Sequence, residues 1–151
     1  MRPLWRLYRE PYGPGLDGIG GTFAEGRWHT RGARVVYFGG SAAIVVLERL
    51  AYTDPDLLPD DLRLALFDFP EPVSESRVEE YGGLPADWIT DAKATQGIGG
   101  RWRKRGSSCL LAVPSAILPE ESNFVMNPEH ADARRLRLVR ERRFGFDPRL
   151  I

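Results

Sequence analysis

The chain has 151 residues, of which 42% are hydrophobic and 28% charged, with 21 basic residues balanced by 21 acidic ones. That length suffices for one proper core, so a single domain over residues 1–151 is expected, and the neutral balance argues against a surface built as a whole for nucleic acid or anionic lipid. The lone Cys109, in the apolar run Cys109–Val113, excludes an intrachain disulfide framework and a cysteine-rich zinc site. With no apolar leader after Met1–Arg6 and no bilayer-length apolar stretch, a soluble protein of the reducing cytoplasm is expected.

In chain order, Leu4–Arg9 alternates bulky apolar and basic residues, which predicts a strand with Arg6 and Tyr8 on one face. A glycine-dense loop, Gly13 to Gly26, leads into Arg27–Trp28–His29, and Val35–Phe38 is β-branched and aromatic enough for a second strand. Ser41 suits the N-cap of a helix from about Ala42 to Tyr52, closed by Asp54–Pro55. Leu62–Phe69 reads as a strand and Pro70–Ser76 as a loop. The stretch from Ala86 to Arg105 reads as a helix in two pieces broken by Gly97, Gly99 and Gly100. Ser108–Val113 is a buried strand followed by a Pro114–Ser115 turn, and Asn123–Met126 and Leu136–Val139 are short strands. The sum is an α+β domain with an irregular, strand-rich sheet and flanking helices.

Glu48 is the local oddity, since on that helix it shares a face with Ser41, Ile44, Val45 and Tyr52. A carboxylate on an apolar face is costly unless paired or used: a salt bridge to Arg49 or another arginine, plain exposure and a functional role all satisfy the spacing. Arg6, Arg9, Arg27, Arg31 and Arg34 crowd the glycine-rich region, either as solvated or ion-paired side chains or as a forked diphosphate site. Gly18–Ile19–Gly20–Gly21 has neither the dinucleotide fingerprint nor a P-loop ending. His29 and His130, the only histidines, lie outside any metal-binding spacing, so no metal is expected and turn or surface positions suit them. Ser115 lacks a nucleophile elbow and Cys109 reads as core. Arg101–Trp102–Arg103–Lys104–Arg105 is either a solvated helix end or a patch for nucleotide or RNA, the basis of an alternative, non-catalytic binding module.

Taken in order, Gly26–Arg27–Trp28, Tyr37, Glu48–Arg49, Gly99–Gly100–Arg101–Trp102, Val113–Pro114–Ser115–Ala116, Asn123, Asn127–Pro128 with His130, and Phe146–Asp147–Pro148–Arg149–Leu150 resemble the landmarks of the RES-domain family. The similarity spans essentially the whole chain. It implies a toxin of a toxin–antitoxin pair, with a fold like that of the ADP-ribosyltransferases of the diphtheria-toxin type, that consumes NAD⁺ by hydrolysis, phosphorolysis or transfer of ADP-ribose to a protein. The implied partner is an antitoxin with an Xre-type helix-turn-helix domain, with no membrane or direct nucleic-acid contact by this chain. By the resemblance Arg6 and Arg27 hold NAD⁺, Tyr37 packs on its nicotinamide end, Ser41 contacts it and Glu48 serves the reacting ribose, with Glu48, Arg27 and Tyr37 as the catalytic set. The family serine falls to Ser115, to Ser108 or to neither, and Ser115 is the NAD⁺-binding candidate. His29 stands where the family commonly has asparagine.

Overall fold

The alternating segments become strands. In the computed structural model, which describes residues 2–151, one sheet is built from β1 (Leu4–Arg9), β2 (Val36–Gly39), β3 (Leu62–Asp68), β4 (Glu75–Arg77), β5 (Leu110–Pro114), β6 (Ser122–Met126) and β7 (Arg137–Phe144). Their spatial order is β4-β5-β6-β2-β1-β3-β7, and every neighbouring pair is antiparallel except β4 and β5. Two helices, α1 (Ala42–Ala51) and α2 (Ala92–Arg105), complete the expected α+β architecture. Ser41 caps α1 as its position suggested: its Oγ accepts the Ile44 N–H at 3.2 Å, a contact worth about 1 kcal/mol.

Three elements depart from the sequence reading, each because a distant partner decides. Glu75–Arg77 falls partly within the expected loop, yet it is a strand because β5 offers a parallel ladder beside it. β7 continues to Phe144 through Arg140–Glu141–Arg142–Arg143, which has no apolar alternation, because β3 pairs with it along its length and its outer position leaves both faces to solvent. α2 is one continuous helix, not two pieces. Its glycines cost roughly 1 kcal/mol each, and the full burial of Ile98 and Trp102 against the sheet offsets that. The stretch before it makes only a separate turn, Trp88–Thr90.

One face of the sheet carries Leu4, Tyr8, Val36, Phe38, Ala65, Phe67, Leu110, Phe124 and Met126 in a continuous apolar layer covered by loop residues such as Leu16, Val73 and Leu136. The other face is divided. Leu111, Val113 and Val125 pack with Ile98 and Trp102 of α2 and with Trp28, whereas Leu7, Leu62 and Leu64 pack with Ala42, Val45 and Val46 of α1. Between these half-layers β1 and β2 share a single paired position, Trp5 with Gly39, so the sheet parts there and leaves a crevice.

Two glycines set the walls of the crevice. A Cβ on Gly39 would overlap the side chains of Val45 and Ile44, so its hydrogen lets α1 lie close on β2. A Cβ on Gly99 would overlap the Trp28 carbonyl oxygen, so α2 and the Arg27–Trp28 segment touch backbone to backbone. Gly99→Ala is therefore expected to destabilise the fold by about 3 kcal/mol or more, as severe overpacking with no flexible neighbour to yield. Gly100→Ala, with nothing within 4 Å of its added carbon, should instead gain up to about 1 kcal/mol from helix propensity. Urea unfolding midpoints check the pair, and equal midpoints for the two variants would refute this account of the helix contact.

Candidate active site

The crevice opens into a cavity of about 440 Å³ lined by residues of β1, β2, α1, the Glu25–Trp28 segment, Pro114, Ala116 and Asn123. α1 presents Val45, Glu48 and Arg49 to it, with Tyr52 from its C-cap, at the spacings that place side chains on one helical stripe. Of the residues singled out in the sequence, Arg6, Arg27, Tyr37 and Glu48 line this cavity together. Ser115 lies behind it, fully buried. Ser41 does not join them: its hydroxyl donates to Glu121 Oε1 at 3.0 Å while capping α1, in a separate, smaller pocket with Arg2 and Phe124.

Glu48 is not paired with Arg49. Its Oε1 accepts the Ser115 hydroxyl at 2.8 Å and the Asn123 amide at 2.9 Å, which leaves Oε2 without a donor among the described residues. Ser115 has one proton and gives it to Glu48, while its oxygen takes the N–H groups of Ile117 and Leu118 at 3.1 and 3.2 Å. A buried hydroxyl so engaged orients the carboxylate and is no nucleophile. Ser108, the other candidate for the family serine, lies in a different buried network with Ser76 and the Trp102 indole.

Arg6 crosses the parting of the sheet, with Nε donating to the Pro14 carbonyl at 2.7 Å and Nη1 to the Tyr37 carbonyl at 2.8 Å. Burial, then the nearby charge of Arg49, lowers its pKa to about 10, so it stays cationic at neutral pH. Arg27 lies at the rim, donating to the Ile89 carbonyl at 2.8 Å with its guanidinium over the Trp88 ring. None of Arg6, Arg27 and Arg49 has a carboxylate partner among the described residues.

Tyr37 offers the cavity its ring rather than its hydroxyl. The hydroxyl accepts the Trp28 N–H at 3.2 Å and lies 2.7 Å from His29 Nδ1, while His29 Nε2 is 2.8 Å from the Ala24 carbonyl. A carbonyl can only accept, so Nε2 holds the imidazole proton, and the Tyr37 proton then goes to Nδ1. Burial raises the Tyr37 pKa, which keeps the phenol protonated for that role. His29 is thus a buried link with both ring nitrogens satisfied, not the surface or turn histidine expected from its isolation in the sequence.

Two site residues went unmarked as such in the sequence reading. Asn123 sits inside β6 opposite Gly39, and an amide just before the apolar run Phe124–Val125–Met126 is itself a signal, because asparagine is disfavoured in strands. Arg49 shares the stripe of Val45 and Tyr52 and was weighed only as a partner for Glu48. Arg101 donates to the Tyr81 carbonyl, Arg103 pairs with Glu129 and donates to the Arg34 carbonyl, and Arg105 lies over the Tyr81 ring, so the basic run is the C-terminal end of α2 and the nucleotide- or RNA-binding module is not favoured. No group of His, Cys, Asp and Glu suited to a metal ion occurs among the described residues. No helix among them is long and apolar enough to cross a membrane.

A sheet parted near its centre, with an oriented carboxylate and arginines that have no carboxylate partner among the described residues, makes a cleft with the charge to receive an anionic group. The chain belongs to the RES domain family, whose sequence profile matches residues 3–147. It is 35% identical to Toxin Res of Photorhabdus laumondii, over 98% of this chain and 96% of that protein. It is 36% identical to Toxin Res of Pseudomonas putida, over 86% and 87%. The Prs ADP-ribosylating toxin of Sphingobium sp. is 32% identical over 90% of this chain and 86% of its own length. Among solved structures, a chain from the MbcT-MbcA toxin-antitoxin complex of M. tuberculosis shares the fold, with a TM-score of 0.77 at 19% identity over 95% of this chain and 84% of that one.

The Glu48 contacts give a direct test. Asn123→Asp replaces a donor 2.9 Å from Oε1 with a second carboxyl group, and such a pair holds one shared proton to higher pH than a free carboxyl does. A folded-state pKa above the unfolded value confers stability below the unfolded pKa that is lost as pH rises through the folded one. The variant should therefore match wild type near pH 4 and fall behind by about 1–3 kcal/mol toward pH 8. Denaturant midpoints across that range check it, and a pH-independent gap would show that the two side chains do not meet.

Proposed function

We propose that this chain is a toxin that uses NAD⁺ as substrate and breaks its nicotinamide–ribose bond, passing ADP-ribose to a cellular protein, to water or to inorganic phosphate. The observation that carries this reading is Glu48, held by Ser115 and Asn123 with one oxygen left over, in a cavity whose arginines have no carboxylate partner among the described residues. The names of the Res and Prs relatives support it.

The residues fit the chemistry. As the bond to nicotinamide breaks, its electron pair goes to the pyridinium nitrogen and the ribose carbon becomes oxocarbenium-like, while nicotinamide leaves neutral and needs no general acid. A carboxylate oriented beforehand gains attraction to that developing positive charge and can hydrogen-bond the ribose hydroxyls, which is the role of Glu48. Tyr37 supplies a ring face for nicotinamide, its hydroxyl being committed to His29 and Trp28. Arg6 and Arg27 provide charge for the diphosphate. Ser115 and Asn123 position Glu48, and Ser41 contributes through the helix that it caps. Nothing in the step calls for a metal.

Glu48→Gln keeps the size and both donor contacts but removes the charge. It should retain the wild-type circular dichroism and unfolding midpoint while nicotinamide release falls by about 10²–10³-fold or more. Turnover at the wild-type rate by the folded variant would sink the reading.

A cell that makes such an enzyme must restrain it, and the reading includes an antitoxin with an Xre-type helix-turn-helix domain that occludes the Arg27–Glu48 cavity. The purified complex is then expected neither to bind NAD⁺ nor to release nicotinamide until the antitoxin is removed. NAD⁺ titration of the complex against the free chain decides the matter, since normal binding by the complex would exclude occlusion.

A further inference from the structure

Arg49 has no part in the reaction scheme, yet with Arg6 it forms an unusual pair. Both residues line the same cavity, and among the described residues both guanidiniums bond only neutral carbonyl groups: Arg6 those of Pro14 and Tyr37, Arg49 that of Leu7 at 3.2 Å. Burial lowers both pKa values. The charge of Arg49 lowers that of Arg6 further, and the charge of Arg9 that of Arg49. Glu48, the carboxylate nearest in sequence, is turned to Ser115 and Asn123.

Two cations drawn partly out of water beside each other, with no counter-ion, are unfavourable until an anion arrives. Each guanidinium has five N–H donors; Arg6 spends two on carbonyls and Arg49 one, so both forks keep donors for oxygens of a phosphate group. Arg27 is differently placed, at the rim, stacked on Trp88 and bonded to Ile89.

We infer that Arg49 and Arg6 together form the anchor for the phosphate charge of the ligand, with Arg49 a binding residue in its own right and Arg27 a secondary contact at the rim. The ligand chemistry is a diphosphate, borne by a dinucleotide or free as pyrophosphate. The dinucleotide assignment rests on the function proposed here, whereas the anion seat itself does not.

Calorimetric titration of the purified chain with ADP-ribose, inorganic pyrophosphate and adenosine tests it. Wild type should bind ADP-ribose and pyrophosphate with affinities that fall as salt rises. Arg49→Gln should weaken both by about ten- to a hundredfold, the usual effect of removing a charge-assisted contact, and leave adenosine binding unchanged. Arg49→Lys, which keeps the charge without the fork, should fall between and serves if Arg49→Gln does not fold. Unaltered binding of ADP-ribose and pyrophosphate by folded Arg49→Gln would overturn the seat, as would NAD⁺ cleavage with an unchanged KM, which leaves the proposed function standing. Conversely, pyrophosphate binding that depends on Arg49 in a chain that neither binds nor cleaves NAD⁺ would uphold the seat and defeat the dinucleotide reading.

Discussion

The cavity exists because one ladder of the sheet is interrupted. β1 and β2 meet only at Trp5 and Gly39, and beyond that point the Tyr37 carbonyl has lost the strand neighbour that would ordinarily satisfy it. A buried carbonyl left unpaired is costly, and the Arg6 guanidinium takes the place of the missing backbone donor. The same side chain ties down the glycine-rich loop through Pro14. Arg6 thus holds the two halves of the sheet at a fixed separation while facing the space between them. A strand pair closed in the usual way would leave no room for a ligand, and one opened without such a link would expose unsatisfied backbone.

The carboxylate of Glu48 depends on both halves being in register. Its helix packs over β1 and β3, whereas its two donors come from β6 and from the turn after β5 on the far side of the parting. Any shear between the halves moves Ser115 and Asn123 relative to Glu48. The opposite wall is fixed through backbone: Thr95 of α2 donates to the Arg27 carbonyl at 2.6 Å, Gln96 donates to that of Gly26 at 3.0 Å, and Gly99 seats Trp28. Tyr37 then connects this wall to β2 by way of His29 and the Trp28 amide. The cleft is therefore positioned by a few polar contacts across a seam, while the apolar layers on either side supply the bulk of the stability.

What was legible in the sequence follows from which forces are local. Alternation in Leu4–Arg9, the Ser41 cap and the apolar face of α1 express contacts within an element, and those elements lie where the pattern puts them. The outer half of β7 and all of β4 are strands only because neighbours far along the chain pair with them, so residues such as Arg142 and Glu75 carry no local mark. The glycines of α2 mislead for the same reason, since propensity sees their entropy and not the Trp28 carbonyl that Gly99 must clear. In the site, Glu48 stood out because a carboxylate on an apolar helix face asks for an explanation. That Ser115 and Asn123 hold it could not be read, because they are 67 and 75 residues away and meet it only through the fold. His29 was misjudged on the same ground, as its partner Tyr37 belongs to another element.

The open edge of the sheet has a consequence for the molecule as a colloid. β7 shows solvent four arginines against one glutamate, a surplus of three positive charges on a chain whose total is zero, so the remaining residues carry the matching negative excess. The protein is neutral in sum, yet this edge is basic even though Arg137 is paired with Asp68. An unpaired strand edge invites a second copy to extend the sheet, and like charges along it oppose that approach even near pH 6.7, where net charge offers no protection. Such repulsion acts over about 8–10 Å at moderate ionic strength and contracts as salt rises. Concentrated salt therefore removes the barrier to edge pairing while leaving the interior untouched.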